Sequence, residues 1–189
     1  MKEATETIVC SDFHIKLFDE NDYKIDSEGN WFSYDKTFLN LDGIRPTSLV
    51  GIQLACDNVI LKSSLIGATG GGTGVHEHSF ALNGSLLSIC CSDSVFCFDL
   101  PNLSLNWVTK ADDAICFGIY NYRDDFIVHG EMQITRLSNH GEIFWQQSGK
   151  DIFTTAVGEN VFTINEEHIL VKDWENNVYK IDFDGKLID

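Results

Sequence analysis

Residues 133–146, QITRLSNHGEIFWQ, decide how this chain is read. Two short apolar stretches flank a polar turn that contains Gly141, and Trp145 lies in the second stretch. That is the pattern of a β-hairpin. Related text recurs as YKIDSEGNW at 23–31, as VFCFDLPNLSLNW at 95–107 and as VYKIDFDGKLI at 178–188. Aligning the hairpins makes Val95, Ile134 and Val178 equivalent, at intervals of about 40 residues, a period with room for about four strands. Tyr23 aligns with Phe96 at nearly two periods, which predicts a degenerate copy near 59–67.

Outside the hairpins the chain is also strand-like. Residues 13–18 alternate Phe13, Ile15 and Leu17 against His14, Lys16 and Phe18, a half-buried strand. Short apolar runs follow at 38–41, 48–55, 59–66, 76–82, 86–91, 114–120, 126–129, 152–157, 160–164 and 168–172. Val, Ile, Phe, Tyr, Trp and Thr dominate them, which favours strand. No window of 11 or more residues repeats at the helical period. The turns are made from Asn, Asp and Gly, since the chain has 15 Gly and 2 Pro. The fold class expected is all-β, antiparallel and repeat-built, with 12–189 as a single domain and 1–11 as a flexible lead-in.

The repeat units resemble those of quinoprotein-type (PQQ-like) β-propellers, on the text SNHGEIFW at 138–145 and, less fully, DFDGKLI at 182–188. The resemblance implies a small or partial propeller, and 189 residues allow about four to five units of this size. A rolled β-sandwich is the alternative. The likeness concerns the scaffold, and no activity transfers with it.

Composition narrows the function. The net charge is −16, from 29 acidic and 13 basic residues. Nucleic acid and anionic membranes would be repelled, whereas a basic protein partner would be steered in. The six Cys include no CxxC pair, so a structural zinc site is not expected. Reduced, mostly buried thiols and a cytoplasmic location are expected, as no secretory signal or membrane span is legible. Cys90 and Cys91 should point to opposite faces of a strand.

Chemistry-bearing motifs are few. The segment GATGGGTG at 67–74, followed by His76 and His78, is where the repeat breaks. A glycine-rich backbone can cradle an anion, but the Gly-Lys-Ser/Thr ending of a P-loop is missing. Gly70, Gly71, Gly72, Thr73, Gly74, His76 and His78 are the candidate ligand-binding residues. On a strand the two histidines would share one face, and His129, Glu131 or His140 would be needed to complete a metal site. The plainer reading is a turn with hydrogen-bonded histidines, so no metal or cofactor is expected. Residues 182–185, DFDG, read as a turn and not a calcium loop. Cys91 or Cys116 with His129, and the pairs Asp112–Asp113, Asp124–Asp125 and Glu166–Glu167, are weaker catalytic candidates. No nucleophile elbow is present.

Trp31, Trp107, Trp145 and Trp174 fall on or beside the repeated hairpins, where packing between sheets is expected. The leading expectation is a non-catalytic protein-binding module, in its specific form an acidic inhibitor or immunity protein for a basic partner. A small-ligand- or metal-binding enzyme using 67–78, and a self-associating structural subunit, are the competing expectations.

Overall fold

The computed structural model describes residues 2–10, 12–42, 45–57, 59–155 and 161–189. Every regular element among them is a strand, so the chain is all-β, in four sheets. The first sheet holds β1 (Glu6–Val9), β2 (His14–Asp19), β3 (Lys36–Asn40), β4 (Ser48–Cys56) and β5 (Val59–Ala68), in the order β1-β2-β4-β5-β3. Its pairs are antiparallel except β3 with β5. The other three are four-stranded antiparallel meanders. They run β6 (Phe80–Asn83), β7 (Leu86–Cys91), β8 (Ser94–Asp99), β9 (Ser104–Lys110); β10 (Cys116–Tyr122), β11 (Asp125–Gly130), β12 (Gln133–Leu137), β13 (Ile143–Ser148); and β14 (Phe162–Ile164), β15 (Ile169–Lys172), β16 (Val178–Ile181), β17 (Leu187–Ile188). Val95, Ile134 and Val178 each lie on the third strand of a meander.

The sheets stack face to face in chain order, and the period of two explains how. On β7, Leu87, Ile89 and Cys91 join a core slab with Ile15, Ile52 and Ile66 of the first sheet, while Cys90 faces Cys116, Phe126 and Val128 of the third. On β11, Ile127 turns the other way and packs with Ile169, Val171 and Ile181 of the fourth sheet. Strands covered on both faces must be apolar on both. That is why β8 is buried over residues 94–98. Each such large side chain contributes roughly 1.5–3 kcal/mol by burial. Four stacked sheets have three such slabs, where a two-sheet roll has one.

Tryptophan joins successive sheets. Trp107 on β9 lies over Gly141 in the turn of the third sheet and donates Nε1–H to Asn139 O at 2.9 Å. Trp145 on β13 repeats this on Gly185 of the fourth sheet, donating to Phe183 O at 3.0 Å. A Cβ on either glycine would sit 2.6 Å from the indole. Their φ values, 82° and 84°, also disfavour any side chain.

The structure corrects several expectations. Residues 23–31 are not a hairpin, and no strand lies between β2 and β3. Asn30 instead closes a loop through its side chain, accepting from Lys24 N at 2.9 Å and donating to Lys24 O at 2.7 Å. The segment after it covers the outer face of the first sheet. Phe32 packs on Phe18 at 5.0 Å, and Tyr34 lies over Gly51, where a Cβ would be 1.9 Å from its Oη. Trp31 is left 76% exposed. The third antiparallel strand of the first sheet is β4, so the 59–67 stretch is not its counterpart of β8 either. The 1–11 lead-in supplies β1, paired along β2 over Glu6–Val9, and Lys2 reaches the buried Glu20 at 2.8 Å. No strand forms over 152–155, and the rest of the expected 152–157 strand, with Asn160, lies outside the described residues.

Gly141→Ala and Gly185→Ala should each destabilise the protein by about 2–4 kcal/mol, combining backbone strain with displacement of an indole. Gly84 also has positive φ, 60°, but open space around it, so Gly84→Ala should cost only about 1 kcal/mol. Urea unfolding of the three variants measures the difference.

Candidate functional site: a row of acidic loops

The glycine-rich run is a brace between sheets. Gly71 N donates to Ala114 O at 2.9 Å, and a Cβ on Gly70 would meet that same oxygen at 2.5 Å. Thr73 N donates to Ser48 Oγ at 2.7 Å, and its Oγ1 accepts from Ser92 N at 2.9 Å. Gly74 passes Asp19, whose Oδ1 accepts from Val75 N at 2.8 Å. Of the run, only Gly72 would admit a Cβ with no contact within 4 Å. The backbone N–H groups of Gly71, Thr73 and Val75 are therefore spent on protein acceptors.

His76 and His78 do not share a strand face, because β6 begins only at Phe80. They sit in a turn closed by Ser79 Oγ, which accepts from His76 N at 3.0 Å and donates to His76 O at 2.8 Å. Their rings stand edge to face with centroids 6.4 Å apart. His76 Nδ1 accepts the His78 N–H at 3.3 Å, and His78 packs against Tyr120 at 5.3 Å. Among the described residues, no three His, Cys, Asp or Glu side chains are placed to hold a metal ion. His129, one of the possible third ligands, is buried between the third and fourth sheets.

The brace heads a row of loops tied by backbone hydrogen bonds. Ile115 O accepts from Glu131 N at 2.8 Å, Glu131 O from Phe153 N at 2.7 Å, and Ile152 O from Trp174 N at 2.8 Å. Meander geometry puts them together: the turn between second and third strands and the connector to the next sheet fall at one end of every sheet. Buried Asp112 holds two of these loops. Its Oδ1 accepts from Ala114 N at 2.7 Å and Ile115 N at 2.9 Å, and its Oδ2 from Met132 N at 3.0 Å and Gln133 N at 2.9 Å. Burial raises its pKa, against the pull of these four donors. Asp173 plays the same part in the last loop, accepting from Asn177 N at 2.8 Å and from the Tyr179 hydroxyl at 2.6 Å.

To solvent the row presents carboxylates around two apolar side chains. Asp113 and Glu175 are exposed, Glu131 and Asp151 half-buried, and Asp42 stands at its head. Met132 is 40% and Trp174 48% exposed among them. Of the nearby cations, Lys110 is already shared between Asp42 at 3.3 Å and Asp93 at 3.4 Å, and Lys150 is exposed.

The weaker catalytic constellations do not assemble. Cys91 lies in the slab against the first sheet, where burial pushes its thiol up to about 12. Cys116 faces the second sheet, its thiol also raised by burial, while His129 lies at the fourth. All six cysteines are free thiols, with Cys90 and Cys91 on opposite faces as read. Asp125 is paired with Arg136, and Glu166 and Glu167 are exposed in a turn. Sequence reading did not single out Met132 or Asp151, and it takes Asp173–Trp174 as a strand end and Glu175, Asn176 and Asn177 as a polar turn. Registering the repeat would have shown that these residues recur at the same turn and connector of successive units.

No family model matches this chain, and no curated protein matches it. Among solved structures it is similar to the computationally designed Ika4 protein, with a TM-score of 0.51 and 8% identity, over 64% of this chain and 75% of that one. The computationally designed Ika8 protein aligns with a TM-score of 0.49 and 8% identity, over 97% of this chain and 59% of that one. The likeness to Ika4 is one of fold alone.

His129 bears on the stability of the row. It stacks on Phe162 with centroids 4.7 Å apart, and its Nε2 lies 3.0 Å from Phe153 O, the donating tautomer. Desolvation lowers its pKa to about 4, against the hydrogen bond to Phe153 that raises it. The unfolded chain, with His near 6.5, binds the proton first. Stability from this site is therefore full above pH 6.5 and lost as pH falls toward 4, by up to about 3 kcal/mol. Chemical unfolding at pH 7 and pH 4.5 should show a smaller pH-dependent loss in His129→Phe than in the unaltered protein.

Proposed function

We propose that this chain is a non-catalytic protein-binding module that takes a basic protein partner on the acidic loop row. The observation that carries this reading is the row itself. Carboxylates from four successive loops, Asp113, Glu131, Asp151 and Glu175, surround exposed Trp174 and Met132 on a backbone-bonded surface. Half-exposed Trp is the kind of anchor that carries binding energy, and surrounding charge steers the encounter. The net charge of −16 extends the steering beyond contact distance. An acidic inhibitor or immunity protein for a basic partner, acting in the cytoplasm, is the specific form of the proposal. The six free thiols fit a reducing compartment. For the scaffold we propose a small or partial propeller of the quinoprotein-type pattern, supported by three consecutive four-stranded meanders and the repeated tryptophan contact.

The test compares two charge-reversal sets of equal size. One changes Asp113, Glu131, Asp151 and Glu175 to Lys. The other changes Asp124, Glu166, Glu167 and Asp184, at the opposite end of the meanders, to Lys. Against a captured basic partner, surface plasmon resonance should show the association rate falling about tenfold or more for the first set and far less for the second. It should also fall with added salt, and Trp174→Ala should speed dissociation about tenfold. Equal effects of the two sets, or salt-insensitive association, would overturn the proposal.

A further inference from the structure

A second feature lies away from the acidic row, at the outer flank of the first sheet. A cleft of about 630 Å³ opens there between the turn at 21–25 and the start of β4. Its volume falls in the range of small-molecule sites, roughly 300–1,000 Å³. One wall is apolar and made possible by a glycine. A Cβ on Gly67 would meet Leu49 at 2.6 Å, Leu39 at 3.0 Å and Pro46 at 3.1 Å. Without one, the three side chains converge to line the cleft. Ile25 completes the apolar lining and, like Leu39, stays partly open, at 43% and 40% exposure.

The charge of this cleft is opposite to that of the molecule. Lys24 and Arg45 line it, and no carboxylate does. Neither cation makes an ion pair with a described residue. In a chain with 29 acidic and 13 basic residues that combination is selective. Three neighbouring hollows that contain cations also contain acids. Lys2 shares one with Glu20 and Asp22, and is bonded to Glu20 at 2.8 Å. Lys16 shares another with Glu3, and Lys36 and Lys62 a third with Asp35. A fifth hollow, around Phe13 and Leu100, has no charged lining residue.

We propose that this cleft binds a small organic anion with an apolar chain, its charged head toward Lys24 and Arg45 and its chain against Leu39, Pro46 and Leu49. The cationic side chains supply the selectivity, because a negative field surrounds the cleft and would otherwise repel such a ligand. The apolar wall supplies the burial that makes a weak ion contact hold. Gly67, the first residue of the glycine-rich run, serves the site by leaving room for the wall to close.

The experiment titrates the intact protein with hexanoate, and in parallel with 1-hexanol and hexylamine, following backbone amide shifts by NMR. The expected result is saturable hexanoate binding at about 1 mM, as befits a fragment, with shifts at Ile25, Leu39, Thr47 and Leu49. Hexanol and hexylamine should bind at least about tenfold more weakly, and the exposed double substitution Lys24→Glu with Arg45→Glu should remove hexanoate binding while leaving the amide spectrum dispersed. Absence of saturation with hexanoate overturns the proposal. So does equal binding of hexanol or hexylamine, binding retained in the double variant, or shifts centred elsewhere.

Discussion

The structure rests on the burial of its middle sheets on both faces. A four-stranded meander with one wet face is a familiar antiparallel unit, but here the second and third sheets have no wet face over their central strands. Phe96 and Phe98 point one way and Val95 the other, all fully buried. Phe126 and Val128 oppose Ile127 in the same manner. Each sheet is therefore held by its neighbours in the stack, and the stacking order follows chain order. Tryptophan fixes the spacing at one end: Trp107 and Trp145 each lie on a glycine of the next sheet and hydrogen-bond its turn. Removing the glycine or the indole affects a whole sheet-to-sheet contact.

The acidic row follows from that stacking. Once meanders stack in register, their second turns and their connectors gather at one end. Backbone hydrogen bonds then run from loop to loop, from Ala114 and Ile115 through Glu131 and Phe153 to Trp174. Asp112 satisfies four backbone donors from two of these loops, so a buried carboxylate serves here as a connector. The carboxylates beside it are turn residues that remain in water. The same sequence habit, acid in turns, thus gives both the internal ties and the outward charge. The cleft on the first sheet departs from the habit, since the long segment between β2 and β4 brings cations and aliphatic residues together instead.

Much of the scaffold was legible because strand periodicity and the turn signals agree. The hairpin at 133–146 was read correctly in place and type, and its equivalents at 95 and 178 fall on matching strands. The reading failed at 23–31, where the same kind of text forms a loop. There the competing demand was cover for Phe18 and the outer face of β4, met by Phe32 and Tyr34. It failed at His76 and His78 because the strand expected from residue 76 begins only at Phe80, after a turn closed by Ser79. The glycine-rich run was identified as special, but its small residues answer to close approach of Ala114, Ile115 and the Leu39–Leu49 wall. Local pattern carries no information about which backbone passes overhead.

The amino-acid sequence alone determined the all-β class, the equivalence of Val95, Ile134 and Val178, the turn positions of Gly141 and Gly185, the opposite facing of Cys90 and Cys91 and the strong negative charge. These depend on residue type and spacing within one unit, which neighbouring residues dictate. The tertiary structure alone decided which sheet lies against which, which tryptophans are buried, how the loops line up into one acidic surface, and where a carboxylate-free cleft opens. Those depend on contacts between units far apart in the chain. Trp31 and Trp145 follow similar stretches of sequence, yet one is 76% exposed and the other rests on Gly185, because Trp31 lies in a loop outside any strand and Trp145 lies on β13 against the turn of the next sheet.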